Sequence, residues 1–326
     1  MVLCHTAISF ALASFLLVSD TDCWVYQISP TPSYPYPAQS CLTLPQFTAN
    51  TSSYLHSNTV LVFLPGKHDI DSKLSIHDIA SLHMLQSSNT MSAKIFCQQM
   101  SSIDLYNTTT VYISRLEFIG CGGNRVESIG HLLIEDTSFH GHDDSGTALE
   151  LVKTTAVIEK SSFKSNMGSS LKVTSKGQWR YSAQSSRAGG AIVVTISCVT
   201  VTGSIFEENR AEVGGAIFGE LNSNIAIIDS IFVGNHVTSH NTDSHCYGGA
   251  VYTQSGCTVL VINSTFNNNT AIKETNGYAI YAGGALFATD NYNGATVDIN
   301  GCKFKFNKAN QNGGAVYIKS SIINRS

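Results

Sequence analysis

The stretch FEENRAEVGGAIF, residues 206 to 218, carries two phrases: Phe-x-x-Asn, and a Gly-Gly-Ala followed by an aliphatic residue. Both come back downstream, so the repeat is the first thing to measure, because a period of 20 to 50 residues decides a fold before any single element does. Working outward, the chain seven times writes two apolar residues at i and i+2 and then a Phe five residues after the second: Val111/Ile113 with Phe118, Leu132/Ile134 with Phe139, Ala156/Ile158 with Phe163, Val199/Val201 with Phe206, Ile225/Ile227 with Phe232, Val259/Val261 with Phe266, and Val297/Ile299 with Phe304. The two-residue alternation reads as a short strand with one buried face, and polar residues such as Ser162, Ser204 and Ser264 read as a turn before the Phe.

Three residues after the Phe stands an Asn in five units, Asn166, Asn209, Asn235, Asn269 and Asn307, with Cys121 and His142 in that place in the first two. Asn accepts left-handed backbone and caps bends with its side chain. Gly189-Gly190-Ala191, Gly214-Gly215-Ala216, Gly248-Gly249-Ala250, Gly283-Gly284-Ala285 and Gly313-Gly314-Ala315 then open a further strand, the glycines supplying positive φ or a close backbone approach. From the Asn to the first Gly the chain takes 23, 5, 13, 14 and 6 residues, so the length variation gathers at one corner.

A coil of three short strands, variable at one corner, predicts an all-β parallel β-helix in which each position stacks on its counterpart at a spacing of about 4.8 Å. Phe then stacks on Phe and Asn on Asn. The phrases FEENRAEVGGAI and FKFNKANQNGGAV also resemble the repeats of chlamydial polymorphic outer membrane proteins, over about residues 111 to 318. That family and the wider pectate-lyase-like superfamily imply a right-handed coil. The membrane barrel of the bacterial members has no counterpart here, so outer-membrane anchoring does not carry over.

Residues 1 to 22 read as a secretory signal, with an apolar run from Ala7 to Val18 but no Lys or Arg before it. A Pro-rich cap or linker follows over 23 to 57, and the β-helix runs from 58 to 326, starting with VLVFLPGKHDI. Proline is excluded from ladder interiors, and none follows Pro65. The last rung, ending in YIKSS and IINRS, is expected to lie open and to favour self-association. Sequons at Asn50, Asn107, Asn263, Asn268 and Asn324 are glycosylation candidates, and Cys97 with Cys121, about one rung apart, is a better disulfide pair than Cys198 with Cys257, about two rungs apart.

Charged residues are 13% of the 326 and the net charge is −4, which argues against a nucleic-acid partner. No cofactor motif is present. The sequence offers two kinds of site. Insertions at the variable corner bring Tyr181, Arg187, Tyr247, Tyr278 and Tyr281, residue types that anchor interfaces, and point to a non-catalytic secreted or surface scaffold binding an extracellular glycan or surface protein. The alternative is a polysaccharide lyase or hydrolase, for which Asp143 and Asp144 are the weak catalytic candidates. The pair resembles the carboxylates of β-helix polysaccharide hydrolases, in which an Asn-Thr-Asp element precedes the aspartates and Gly-His-Gly and Arg-Ile-Lys motifs follow; here Asn241-Thr242-Asp243 comes after the pair and neither later motif is present. His140 and His142 are the weak metal candidates, with His236, His240 and His245 a looser set; neither group has a closed metal-ligand spacing, and His142, at the place otherwise held by Asn, reads first as a turn residue.

Overall fold

Three long parallel sheets, stacked coil upon coil, build the molecule, here a computed structural model describing residues 23–30, 41–87, 92–98, 101–141, 147–168, 188–238, 246–272, 281–289, 295–319 and 321–322. Sheet A has twelve strands, and sheets B and C have nine each. Each of nine coils contributes one strand to A, then B, then C. Coil 1 is Asn58–Phe63, Gly66–Ile70 and Leu74–His77; coil 2 is Ser81–Gln86, Ala93–Cys97 and Ile103–Tyr106; coil 3 is Thr110–Ser114, Leu116–Ile119 and Arg125–Glu127. Coil 4 is His131–Glu135, Ser138–His140 and Leu149–Val152, and the same order repeats to coil 9, Ala295–Asn300, Lys303–Lys305 and Val316–Lys319. Every pairing is parallel to its counterpart one coil away, which makes the chain a right-handed parallel β-helix.

The seven apolar pairs lie in register across sheet A, Val111/Ile113 beside Leu132/Ile134 and so on to Val297/Ile299. Below them Phe118, Phe139, Phe163, Phe206, Phe232, Phe266 and Phe304 form one continuous stack, with ring centroids 4.6 to 5.0 Å apart. Ile95 and His68 extend this row toward the N-terminal end. His68 is buried, its Nε2 bonded to the Leu64 carbonyl at 2.7 Å, and burial lowers its pKa.

The asparagines do something other than the turn capping expected of them. The left-handed backbone falls on the residue before each one, at Ser165, Glu208, Gly234, Asn268 and Phe306. Each Asn side chain instead points into the coil. Asn209 Nδ2 donates to Phe163 O at 3.0 Å and to Asn235 Oδ1 at 2.9 Å, while the Asn209 backbone N–H donates to that same Oδ1 at 3.0 Å. The pattern recurs from Asn166 to Asn307. This amide ladder satisfies polar backbone groups that no water reaches. A second buried ladder runs through the turn before the Phe: backbone N–H groups of Thr137, Ser161, Ser204 and Ser230 each donate to the hydroxyl one coil on. It is Ser161, not Ser162, that turns inward there.

The two glycines of each Gly-Gly-Ala divide the two tasks foreseen for them. The first takes positive φ, 59° at Gly214 and 65° at Gly248. The second is packed without room for a side chain, since a Cβ on Gly249 would stand 2.1 Å from the Gly284 carbonyl oxygen. Between the Asn and these glycines, coils 6 to 9 add a fourth strand of two residues, forming the small sheet Arg210–Ala211, His236–Val237, Thr270–Ala271, Lys308–Ala309.

At the N-terminal side, the segment before residue 58 adds two strands to sheet A. Cys23–Ser29 pairs in register with Asn58–Phe63, and Cys41–Thr43 pairs with Cys23–Ser29. Helix α1 (Leu44–Ala49) follows, started by a capping box between Thr43 and Gln46, and then the single turn α2 (Thr51–Tyr54). Leu44 and Phe47 are buried against the first coil, closing the core at this end. A disulfide joins Cys97 to Cys121, with Cα atoms 4.8 Å apart, so Cys121 holds the corner where later coils use Asn.

Candidate ligand-binding face

Along each strand of sheet C, alternate residues face out of the coil. In coils 2 to 4 the inward residues are Ile103 and Leu105, Val126, and Leu149 and Leu151, all buried. The outward residues are Asp104 and Tyr106, Arg125 and Glu127, and Glu150 and Val152. Parallel register places Asp104, Arg125 and Glu150 in one row and Tyr106, Glu127 and Val152 in the next.

These side chains are joined. Asp104 accepts the Tyr106 hydroxyl and an ion pair from Lys73, and the Ser102 hydroxyl at 3.3 Å. The Arg125 guanidinium sits between two carboxylates, 3.0 Å from Glu127 and 3.6 Å from Glu150. Two coils on, Glu220 accepts the Thr195 hydroxyl at 3.3 Å. Exposure sets this face apart: the Asp104 side chain is 3% exposed and that of Glu150 is 15%, whereas the outer ion pair of sheet B, Lys164 with Glu207, is 44% and 38% exposed.

Burial governs the ionisation of these groups. It pushes the Glu150 carboxyl up, with Arg125 pulling it back and the Asp104, Glu127 and Glu220 charges adding to the rise. The Glu220 carboxyl is likewise raised by burial, against hydrogen bonds from Thr195 and Gln254. Burial first and the Asp104 carboxylate second drive the Tyr106 phenol far above its usual range. Four carboxyls stand against Lys73 and Arg125, and both cations are already paired, so the face offers acceptors for hydroxyl and amino groups.

Beyond coil 4 the Asp104 row changes character. Its next members are Val193, Phe218, Tyr252, Phe287 and Tyr317. Although they face away from the main core, Val193, Phe218, Tyr252 and Phe287 are buried, packed under Ala188, Val213 and Ala282 in a second apolar cluster. The Gly-Gly corner folds these covering residues back over sheet C.

Of the residues singled out from sequence, Tyr247 lies at the edge of this cluster, half-buried, its ring 4.4 Å from Phe287. Tyr281 is paired in register with Cys246. His140 is on the outer face of sheet B, 3.5 Å from Glu117 and one strand away from Lys164. Asp143, Asp144, His142, Tyr181, Arg187, Tyr278, Asn324, His240, His245 and the 241 to 243 stretch lie outside the described residues. Among the described residues no group of three or more His, Cys, Asp or Glu is close enough to hold a metal ion. The sheet C carboxylates do not stand out in the sequence. Their signal is a charge between or beside aliphatics in three successive coils, Ile-Asp-Leu, Arg-Val-Glu and Leu-Glu-Leu, which gains meaning only once the register is known.

No protein-family model matches the chain, and no curated protein matches it. Solved structures similar to it include a rhamnogalacturonan lyase, at 10% identity and a TM-score of 0.40, covering 84% of this chain and 74% of that one. The pectate lyase Pel9A matches at 12% identity and 0.37, covering 94% and 78%. An alginate lyase from Paenibacillus sp. str. FPU-7 matches at 12% identity and 0.34, covering 92% and 99%. At this distance the likeness says nothing about the chemistry of the sheet C face.

Proposed function

We propose that the chain is a secreted or cell-surface β-helix that binds an extracellular glycan along the outer face of sheet C, in coils 2 to 4 and the corner loops beside them, without turning it over. One observation carries this reading: Asp104, Arg125 and Glu150 stand in one row on an outward face, Arg125 paired with Glu150 and the two carboxylates largely buried. A polymer laid along the axis meets a new polar row about every 4.8 Å. A few fixed polar groups beside apolar walls are what orient a ligand.

Binding is preferred to turnover because the groups a reaction needs are engaged. Arg125 and Lys73 are held by carboxylates, and the raised Tyr106 phenol is unsuited to act as a base. Glycan hydrolysis is the second reading, favoured by two carboxyls, Glu127 and Glu150, gathered on one guanidinium, with burial raising that of Glu150. The test incubates the full-length chain with immobilised neutral, amino-sugar and uronate glycans while assaying new reducing ends and unsaturated products. Binding without products supports the scaffold. Products transfer the assignment to an enzyme, and absence of binding to every glycan refutes both.

A further inference from the structure

Two of the sequons, Asn263-Ser264-Thr265 and Asn268-Asn269-Thr270, fall in coil 8 on either side of the sheet B strand Thr265–Asn267. Both acceptor residues are exposed corner residues with left-handed backbone, φ 49° at Asn263 and 54° at Asn268. Neither side chain is engaged in a hydrogen bond among the described residues, whereas the Asn107 amide donates to Asp78 at 3.2 Å. Coil 9 makes room above the first: a Cβ on Gly301 would come 2.4 Å from Asn263 Oδ1.

A separate observation concerns what stands next to Asn268. One coil on, in the same corner column, is Phe306, 83% exposed and at φ 54°. An aromatic residue gains nothing from water and rarely takes left-handed backbone, so this position asks for a cover. On the strip between the two corners, Ile231 is the neighbour of Thr265 and is 41% exposed, with Ile205 behind it at 43%. Exposed apolar groups thus adjoin the bracketed strip on both sides, the isoleucines in coils 6 and 7 and Phe306 in coil 9, while the strip itself carries Thr265 and Asn267.

We propose that Asn263 and Asn268 carry N-linked glycans and that the first sugars of the Asn268 chain lie over Phe306. The donor is a lipid-diphosphate-linked oligosaccharide of the secretory pathway. The Asn Nδ2 attacks the anomeric carbon, the N–C bond forms as the C–O bond to the diphosphate breaks, the lipid diphosphate leaves with the bonding pair, and the amide releases one proton. Sheet B is then shielded and sheet C stays open. With the binding proposal this shares only the secretory route, and it stands or falls without any ligand on sheet C.

The full chain with its own N-terminus is expressed in cultured eukaryotic cells, and protein from medium and lysate is treated with peptide-N-glycosidase and mapped by mass spectrometry. Glycopeptides at both positions are expected, and Asn263→Gln and Asn268→Gln should each remove one mobility step. Enzymatic deglycosylation should raise the binding of an apolar-surface dye, and Phe306→Ser should abolish that rise. Unmodified Asn263 and Asn268 peptides in the secreted chain, glycans confined to other sequons, or a chain retained without glycan would each overturn the proposal; an unchanged dye signal would remove the sugar from Phe306.

Discussion

Coils 1 to 4 and coils 5 to 9 follow one backbone path with different chemistry. The later coils repeat Asn and Gly-Gly-Ala, bury an amide ladder, and cover the outer face of sheet C with a second apolar cluster. The earlier coils replace these with single devices. A disulfide holds the corner between sheets B and C, and in the same bend Asn124 accepts from Ile103 N and donates to the Cys121 and Ala148 carbonyls, linking coils 2 to 4. There, among the described residues, no apolar cluster lies on the outer face of sheet C, which carries Asp104, Arg125 and Glu150. The difference teaches that the repeated motif marks the scaffold, and that the proposed binding row sits where Asn and Gly-Gly-Ala lapse.

Glycines break this comparison most sharply. Gly249→Ala should cost about 4 kcal/mol or more, because the new Cβ would run into backbone at Gly284 and Thr270 that cannot yield. Gly141→Ala, in coil 4, meets nothing within 4 Å and should cost only the left-handed penalty of about 1 to 2 kcal/mol at φ 60°. Denaturant midpoints of the two variants compare them directly, and equal losses would erase the distinction between the regions.

Next come the ladders. Phe232→Ala should cost about 3 to 5 kcal/mol, as a fully buried ring in the middle of the stack. From sequence, Asn235→Ala reads as a lesser loss of one turn bond. The structure raises that expectation to about 2 to 4 kcal/mol, since removing this amide leaves the buried Asn209 N–H without its acceptor and takes one bond each from the Phe206 carbonyl, the Asn209 side chain and Asn269 Oδ1. Urea unfolding of both variants decides whether the amide ladder rivals the aromatic one. In the earlier coils, Cys97→Ser with Cys121→Ser should cost about 3 kcal/mol, the loop-closure contribution for a sequence separation of 24, measured the same way with and without reductant.

These positions show what sequence made legible. Constant spacing from apolar pair to Phe exposed the coil, the strand order and the variable corner, because a solenoid must put each rung in register with the last. It did not expose the direction of the Asn side chains, since left-handed backbone and an inward amide ladder both favour Asn at a corner. Nor did it reveal the sheet C row. Asp104, Arg125 and Glu150 are 21 and 25 positions apart in coils lacking the motif, and only the pairing brings them side by side. What stands out along the chain is the adjacent pair Asp143 and Asp144 and the aromatic residues of the corner insertions, because neighbours in sequence need no register to be seen together.

The smallest expected effect is in pH. A carboxyl raised by burial, such as Glu220, contributes stability that is fully present below its unfolded value of about 4.3 and is lost as pH rises through the folded value. The wild-type melting temperature should therefore gain from mild acid at this position, and Glu220→Gln should flatten that dependence and raise the melting temperature slightly at neutral pH. His68 works in the opposite sense: its lowered value costs stability as pH falls below about 6.5, and His68→Phe should remove that loss.

The division between scaffold and site is tested most directly by glycan-array binding of the full-length chain beside a Glu127→Gln, Glu150→Gln double variant whose melting temperature and circular dichroism match the wild type. That division requires array signals for the wild type that fall at least tenfold in the double variant. Wild-type signals persisting in the double variant, or no signal from either protein, would contradict it.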